Sequence, residues 1–192
     1  MADLGALREK ILKCRLCRLC EGATQAVPGE GNPDADILFI GEAPGKSEDI
    51  QGEPFVGAAG KFLNELLESI NLKREDIFIT NIVKHRPPNN RDPKDDEIEA
   101  CFPYLDQQIQ AIKPLLIVTL GRHAMNRFMP GLQISKVHGQ AKRVKSIFSK
   151  KQVIYPLYHP ASALYNGAMR PVLFEDMKKI PVLLQQLRKG AL

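Results

Sequence analysis

The feature that most constrains the fold is a repeated alternation of short apolar runs with helical segments. Apolar runs of strand length lie at residues 36–41, 77–83, 115–120 and 153–158. Helical patterns lie at residues 4–20, 57–70, 95–112, 121–128 and 174–189, with Pro181 near the start of the last or kinking it. Apolar strands that alternate with helices are typical of a parallel sheet covered on both sides. The sequence therefore predicts an α/β fold with a central, mostly parallel four-stranded sheet flanked by helices on both faces.

The length and composition predict one globular domain over residues 1–192. Hydrophobic residues make up 44% of the chain and charged residues 26%, which are ordinary values for a globular protein. No apolar run is long enough to cross a bilayer, and residues 1–13 lack the pattern of a signal peptide. We therefore expect a cytoplasmic protein without a membrane partner, and a monomer.

Polar residues follow the predicted strands where each strand ends. The positions concerned are residues 41–45, 81–86, 121–123 and 159 onward. In open α/β sheets, ligands bind beyond the carboxyl ends of the strands. The sequence therefore predicts one site that is built from these separate loops.

The charge balance permits a polyanionic partner such as nucleic acid. Lys and Arg number 27 against 22 Asp and Glu, a formal net charge of +5. An excess of this size is also common in proteins that bind no nucleic acid, so the charge alone does not decide the matter.

Three of the four cysteines form a Cys-x-x-Cys-x-x-Cys run, made of Cys14, Cys17 and Cys20, and the fourth is Cys101. In an intracellular protein this spacing favours ligation of a metal or cluster over disulfide formation.

An ordered set of motifs resembles the signature of the family 4 uracil-DNA glycosylases. Each motif alone is common, but the set in this order is specific, and it covers most of the chain. The motifs are G-E-A-P-G at 41–45 with Glu48-Asp49, E-P-F-V-G at 53–57, Thr80-Asn81, R-P-P-N-N-R at 86–91 and His159-Pro160-Ala161. The resemblance implies a uracil-DNA glycosylase-like three-layer sandwich. It also implies an enzyme that removes uracil from single- and double-stranded DNA and leaves an abasic site.

The resemblance assigns a uracil pocket to Gly41, Ala43, Phe55, Asn81 and His159. The flat face of Phe55 suits stacking on a base that has been flipped out of the helix. The carboxamide of Asn81 can accept from uracil N3–H and donate to O4, a pattern that cytosine reverses. His159 can donate a hydrogen bond to uracil O2 as negative charge develops on the departing base.

Two carboxylates are candidates for the catalytic group that acts on the sugar. Glu42 follows the first predicted strand and can orient the attacking water and stabilise a cationic sugar. Glu48 is the second candidate, and the sequence does not decide between them. Related family 1 enzymes carry an Asp where this chain has Ala43, so the role of that Asp has no direct holder here.

The segment after the His-Pro motif is expected to contact DNA. An apolar side chain at Leu164 or Tyr165 can wedge into the gap left by the flipped base. Arg170 can contact phosphates, whereas Lys178 and Lys179 are equally well explained as a solvated basic face.

The resemblance also implies a [4Fe–4S] cluster held by four cysteines. Cys14, Cys17 and Cys101 match three of these positions, but the remaining one is His85, a departure from the family pattern. Imidazole ligates iron in Rieske centres, so we expect three cysteines plus His85, with Cys20 as the alternative fourth ligand. A zinc ion on the same residues is the alternative to a cluster.

Two other kinds of function compete with this interpretation. A non-catalytic nucleic-acid-binding module stabilised by metal would also fit the basic charge and the cysteines. A nucleotide hydrolase has less support, because the chain has neither a G-x-S-x-G nucleophile motif nor a phosphate-binding glycine loop with Lys and Ser or Thr.

Overall fold

A computed structural model describes residues 3–144 and 152–190 and builds them around one six-stranded sheet. The strands are β1 (Glu30–Gly31), β2 (Ile37–Gly41), β3 (Phe78–Asn81), β4 (Leu116–Leu120), β5 (Lys142–Val144) and β6 (Gln152–Leu157). Their order in the sheet is β1-β3-β2-β4-β6-β5. The inner four strands β3, β2, β4 and β6 run parallel, which confirms the predicted α/β sheet.

Helices follow most of the strands and cover both faces of the sheet. In the described part of the chain they are α1 (Leu4–Leu12), α2 (Leu19–Gly22), α3 (Lys46–Gln51), α4 (Ala58–Glu68), α5 (Asp95–Ile112), α6 (Arg122–Phe128), α7 (Ile134–Val137), α8 (Ser162–Tyr165), α9 (Met169–Met177) and α10 (Ile180–Arg188). Over these same residues, no helix combines the length and the apolar character that crossing a membrane would take.

Two apolar cores lie on opposite faces of the sheet, because successive strand side chains point to opposite sides. On one face, Phe39 and Val118 pack with α4, α9 and α10. On the other face, Leu38 and Ile117 pack with α5 and α6. All five residues of β2 and of β4 are buried, which explains their continuous apolar sequence. Burial of each large apolar side chain contributes about 1.5–3 kcal/mol, so these two faces hold the three layers together.

The strand register brings the ends of the inner strands to one edge. Gly41 of β2 lies beside Asn81 of β3, and Leu120 of β4 lies beside Leu157 of β6. The loops that follow these residues therefore start next to one another, as the prediction of a shared site requires.

Two short edge strands were not predicted from the sequence. β1 pairs antiparallel with β3, and β5 pairs antiparallel with β6. Strands of two and three residues are too short to show a hydrophobic period. Their place at the sheet edges follows from tertiary pairing and not from local pattern.

Two helix predictions were wrong in extent. The helix expected over 4–20 ends at Leu12, and the amide of Cys14 closes its last turn on the carbonyl of Ile11 at 3.0 Å. The cysteine run therefore lies mostly in a turn before α2. The helix expected over 174–189 is two helices, with Pro181 in the first turn of α10, where proline's missing N–H does no harm. The single domain over residues 1–192 remains a prediction.

Candidate active site

A cavity of about 400 Å³ opens at the carboxyl ends of the inner strands. The loops after β2, β3 and β6 all contribute to its wall. Among the residues that line it are Glu42, Ala43, Gly45, Glu48, Phe55, Asn81, Arg91, His159, Leu164 and Tyr165. Most of the residues that the sequence assigned to one site therefore lie around one space, whereas Gly41 and residues 121–123 are not among those that line it.

Gly41 ends β2 and lies against two residues that line this cavity, Asn81 and Phe55. A Cβ atom on this residue would lie 2.4 Å from Oδ1 of Asn81 and 2.6 Å from Cζ of Phe55. Such distances are far below van der Waals contact, so any other residue here would displace both side chains. Gly41 is thus required by the close approach of two neighbours and not by its own backbone angles.

Asn81 ends β3 and is almost fully buried, with 1% of its surface exposed. Its side-chain oxygen Oδ1 makes no hydrogen bond within the described part of the chain. Buried polar atoms are nearly always hydrogen-bonded, and the exceptions often mark functional positions. This oxygen is therefore a candidate acceptor for a donor on a bound ligand.

Phe55 is buried and has a left-handed backbone conformation with φ of 54°, which is rare for an aromatic residue. Arg74 holds this loop, because its guanidinium donates to the carbonyls of Phe55 at 3.1 Å and Pro54 at 2.6 Å. The ring of Phe55 stacks against His159, with 5.6 Å between ring centroids and 27° between planes. Two flat rings thus lie side by side at the cavity.

The hydrogen bonding of His159 identifies which ring nitrogen is a donor. Nδ1 accepts the backbone N–H of Ala161 at 3.1 Å, so a neutral ring carries its proton on Nε2. Burial lowers the pKa of His159 to about 4, and the charge of Glu48 only partly opposes this shift. Near neutral pH, His159 is therefore an uncharged donor through Nε2.

Glu48 lies on α3 and lines the cavity, but its carboxylate accepts hydrogen bonds from backbone amides on either side of that helix. One oxygen accepts the N–H groups of Val56 at 2.9 Å and Gly57 at 2.8 Å, and the other accepts that of Gly45 at 3.1 Å. These bonds tie Gly45, at the start of α3, to Val56 and Gly57, which follow Phe55.

Glu42 is half-buried, and its side chain makes no such bond to any backbone amide of the described residues. Burial raises the pKa of Glu42, the neighbouring His123 opposes that shift, and Asp92 adds to it. Nε2 of His123 lies 3.8 Å from Oε2 of Glu42 and 3.1 Å from Oδ2 of Asp92. The sequence predicted residues 121–123 as a strand end but gave His123 and Asp92 no role. The contacts among Glu42, Asp92 and His123 join three segments that are far apart in the chain, so no local pattern indicates them.

The outer wall of the cavity carries exposed apolar surface. Tyr165 is 92% exposed and Leu164 is 47% exposed, both on α8. Arg170 lies on α9 and does not line the cavity; its guanidinium pairs with Glu65 at 2.6 Å and lies 4.3 Å above the ring of Phe62. The structure thus brings Leu164 and Tyr165 to the site but places Arg170 against α4.

The predicted cluster ligands lie on three segments that pack together. Cys14, Cys101 and His85 are buried, while Cys17 and Cys20 are partly exposed, and all four thiols are free. Burial raises the pKa of the Cys101 thiol to about 11, and Cys14 and Cys17 lie close enough to add to this shift.

The ligand atoms of this set do not form a compact group in the described part of the chain. A tetrahedral zinc ion with sulfur ligands at 2.3 Å puts neighbouring ligand atoms about 3.8 Å apart. Within 3–144 and 152–190, no three cysteine or histidine ligand atoms of this set lie within 4.8 Å of one another. No three of these atoms are therefore spaced as in a preformed tetrahedral zinc site.

A buried lysine, which the sequence analysis did not single out, connects the cysteine segment to the cavity. Nζ of Lys84 donates to Thr80 Oγ1 at 2.7 Å and to Asn81 O and Gln108 Oε1 at 2.8 Å each. Its backbone N–H donates to Sγ of Cys101 at 3.2 Å. Burial lowers the pKa of Lys84 to about 8. Lys84 was missed because, in the sequence, it is one of several basic residues after a strand.

Comparison with known proteins gives a consistent result. Residues 28–180 match the family model described as the uracil DNA glycosylase superfamily. The chain is 50% identical over 186 residues to the type-4 uracil-DNA glycosylase of Sulfurisphaera tokodaii, covering 94% of this chain and 84% of the relative. It is also 50% identical over 186 residues to the type-4 uracil-DNA glycosylase of Saccharolobus solfataricus, covering 94% of this chain and 86% of the relative. To the type-4 uracil-DNA glycosylase of Archaeoglobus fulgidus, the chain is 48% identical over 185 residues, covering 94% of this chain and 92% of the relative.

Proposed function

Because the chain belongs to the uracil DNA glycosylase superfamily and to its type-4 uracil-DNA glycosylases, we propose that it excises uracil from DNA. The enzyme hydrolyses the N-glycosidic bond in single- and double-stranded DNA and leaves an abasic site for base excision repair. The observation that carries this proposal is the convergence of Glu42, Phe55, Asn81 and His159 on one cavity.

The cavity has the parts needed to hold a single flipped base. A base inside a duplex is out of reach, so it must rotate into a pocket before the bond can break. Phe55 provides a flat face for stacking, and Gly41 and Ala43 let the base approach the end of β2. The unpaired Oδ1 of Asn81 accepts uracil N3–H, and its amide nitrogen donates to O4. Cytosine has no N3–H and offers a donor in place of O4, so it is rejected.

His159 stabilises the departing base. Negative charge develops on uracil as the bond breaks, and a fixed donor near O2 lowers the energy of that state. The Nδ1 bond to Ala161 leaves Nε2–H available for this purpose, and burial keeps the ring neutral. The ring also forms one wall of the base slot through its stacking on Phe55.

Glu42 is the better candidate of the two carboxylates for the reaction at the sugar. The oxygens of Glu48 are taken by three backbone amides, so we assign Glu48 the task of shaping the loop around Phe55. Glu42 retains free acceptor capacity at the cavity, where it can orient a water molecule and stabilise positive charge on the sugar.

Contacts to DNA outside the base slot come from α8. The exposed side chains of Leu164 and Tyr165 are placed to fill the gap left by the flipped nucleotide. A phosphate contact by Arg170 would require it to exchange or share its pairing with Glu65. An ion pair as exposed as Arg170–Glu65 contributes little stability, so Arg170 can leave it at little cost. We therefore keep the phosphate contact of Arg170 in the proposal.

We assign a [4Fe–4S] cluster to Cys14, Cys17, His85 and Cys101. When bound, the cluster would supply a structural cross-link between the amino-terminal turn, the loop after β3 and α5. Lys84 supports this arrangement, because its amide bonds to Cys101 and its ammonium bonds to the carbonyl of Asn81. A monomeric, cytoplasmic enzyme is part of the same proposal.

The activity is tested with labelled single-stranded and duplex oligonucleotides that contain one uracil. After incubation with the purified protein and treatment with alkali, we expect cleavage at the uracil position in both substrates. Identical oligonucleotides with cytosine or thymine serve as controls and stay intact. Retention of the DNA in a gel without any alkali-labile site would instead identify a binding module.

The ligand assignment predicts different iron contents for two variants. His85→Ala is expected to lose most of its iron after anaerobic purification, because one of four cluster ligands is removed. Cys20→Ala is expected to retain the brown colour and the iron of the wild type. Iron and zinc are measured together by elemental analysis, with visible absorption. The reverse result for the two variants would make Cys20 the fourth ligand, and stoichiometric zinc in colourless wild-type protein would rule out the cluster.

A further inference from the structure

Four charged or titratable side chains meet at the rim of the cavity. Nε2 of His123 lies 3.8 Å from Glu42 Oε2 and 3.1 Å from Asp92 Oδ2. Arg122 donates through Nε to His123 Nε2 at 2.9 Å and through Nη2 to Asp92 Oδ2 at 3.0 Å. We call these four residues the rim cluster. They come from the loop after β2, the loop after β3 and the first turn of α6.

His123 can form two different sets of bonds within the rim cluster. A neutral ring with its proton on Nδ1 accepts at Nε2 from Arg122, as the distance of 2.9 Å allows. A ring protonated on Nε2 instead donates to Asp92 or Glu42, and the contact with Arg122 becomes unfavourable. When both ring nitrogens carry protons, the side chain is therefore in position to bring a positive charge next to Glu42.

The charge of the Glu42 carboxylate depends on the other members of the rim cluster. Its role at the sugar needs the ionised form, because a protonated carboxyl is a poor acceptor from water and gives no charge stabilisation. Burial raises the pKa of Glu42, and Asp92 raises it further, whereas His123 and Arg122 lower it. His123 and Arg122 thus favour the ionised carboxylate of Glu42, whereas Asp92 disfavours it.

We propose that His123 is a positioning residue for Glu42, which it holds at the cavity rim in the ionised form needed for uracil excision. The inference rests on the proposed function, since it concerns how that reaction depends on Glu42.

The other charged groups at the cavity do not substitute for His123. Glu48 is engaged with backbone amides, and Arg91 forms a bidentate pair with Glu97 at 2.8 and 2.6 Å. His159 is neutral because burial lowers its pKa to about 4. Lys46 also lines the wall, and its charge is the same in every variant compared below.

The test is the pH dependence of excision under single-turnover conditions, with enzyme in excess over a uracil-containing duplex. The rate should rise with pH as Glu42 ionises. His123→Gln removes the positive neighbour, so the acid limb should move to higher pH by about 0.5–1 unit. Asp92→Asn removes the negative neighbour, so the limb should move to lower pH by a similar amount. A purely structural role for these residues gives no reason for shifts of opposite sign.

Two further variants test whether ionisation of Glu42 produces the acid limb of the pH–rate profile. Glu42→Gln should remove it, because the titrating group is gone. His138→Gln is the matched control, since His138 pairs with Asp176 at 2.6 Å and does not line the cavity; its profile should equal that of the wild type. Thermal melting of each variant checks that it is folded at every pH used.

An acid limb that stays in place in His123→Gln would overturn the inference while leaving the proposed function intact. Shifts of the same sign in His123→Gln and Asp92→Asn would do so too, and so would a limb that persists in Glu42→Gln. If the wild-type protein forms no abasic sites at any pH, the proposed function itself fails, and that result is separate from any comparison between variants.

Discussion

Replacement of Asn81 with aspartate is expected to lower the rate of uracil excision by about 100-fold or more. In the proposed function, the wild-type amide accepts from N3–H and donates to O4, and the variant keeps the first bond but loses the donor. An ionised carboxylate would also face the O4 oxygen, in a site where Asn81 is only 1% exposed. The preference for uracil over cytosine should therefore shrink. Single-turnover rates on matched uracil and cytosine oligonucleotides measure both effects.

Asn71→Asp is the matched control for this substitution. Asn71 has a left-handed backbone with φ of 56° after α4, and it is exposed, so aspartate is tolerated there. Its excision rate should equal that of the wild type. An Asn81→Asp enzyme with unchanged selectivity would remove Asn81 from the reading of the base.

Replacement of His159 with alanine is expected to slow bond cleavage by about 100–1,000-fold, the usual cost of losing one donor to a developing oxyanion. His159→Gln should recover part of this loss, because the glutamine amide nitrogen can occupy a position similar to Nε2. Single-turnover kinetics with saturating enzyme measure the chemical step, and binding of DNA that carries a non-cleavable uracil analogue measures affinity. The loss should appear mainly in the rate.

His138→Ala serves as the control for a missing imidazole, since His138 lies against Tyr158 and Asp176 outside the cavity wall. A His159→Ala enzyme that cleaves at the wild-type rate would show that another group stabilises the departing base. Equal losses in the alanine and glutamine variants would mean that the ring, through its stacking on Phe55, matters more than the donor.

The inner sheet was predictable because its strands are buried on both faces. Such strands need apolar residues at every position, as in Ile37–Gly41 and Leu116–Leu120, so they appear as continuous runs. The helices Ala58–Glu68 and Asp95–Ile112 were predictable from their apolar period. The edge strands and the end of α1 were not, because these depend on pairing and turn closure between residues with weak local preferences.

That Asn81 and His159 meet at one cavity was also predictable, for a different reason. Both residues follow buried parallel strands, and the ends of such strands meet at one edge. The ordered motifs then supplied their chemistry by resemblance. The sequence left open which glutamate acts at the sugar, because Glu42 and Glu48 both follow the same strand.

By itself, the sequence determined the family, the inner sheet and the chemical types of the groups around one cavity. Only the tertiary structure decided which partners those groups have. It engages Glu48 with the backbone amides of Gly45, Val56 and Gly57 and leaves Oδ1 of Asn81 without a partner in the described chain. It also brings His123 to Glu42 from the first turn of α6. The reason is physical: hydrogen-bond partners and burial depend on distances between segments far apart in the chain, and no local pattern records those distances.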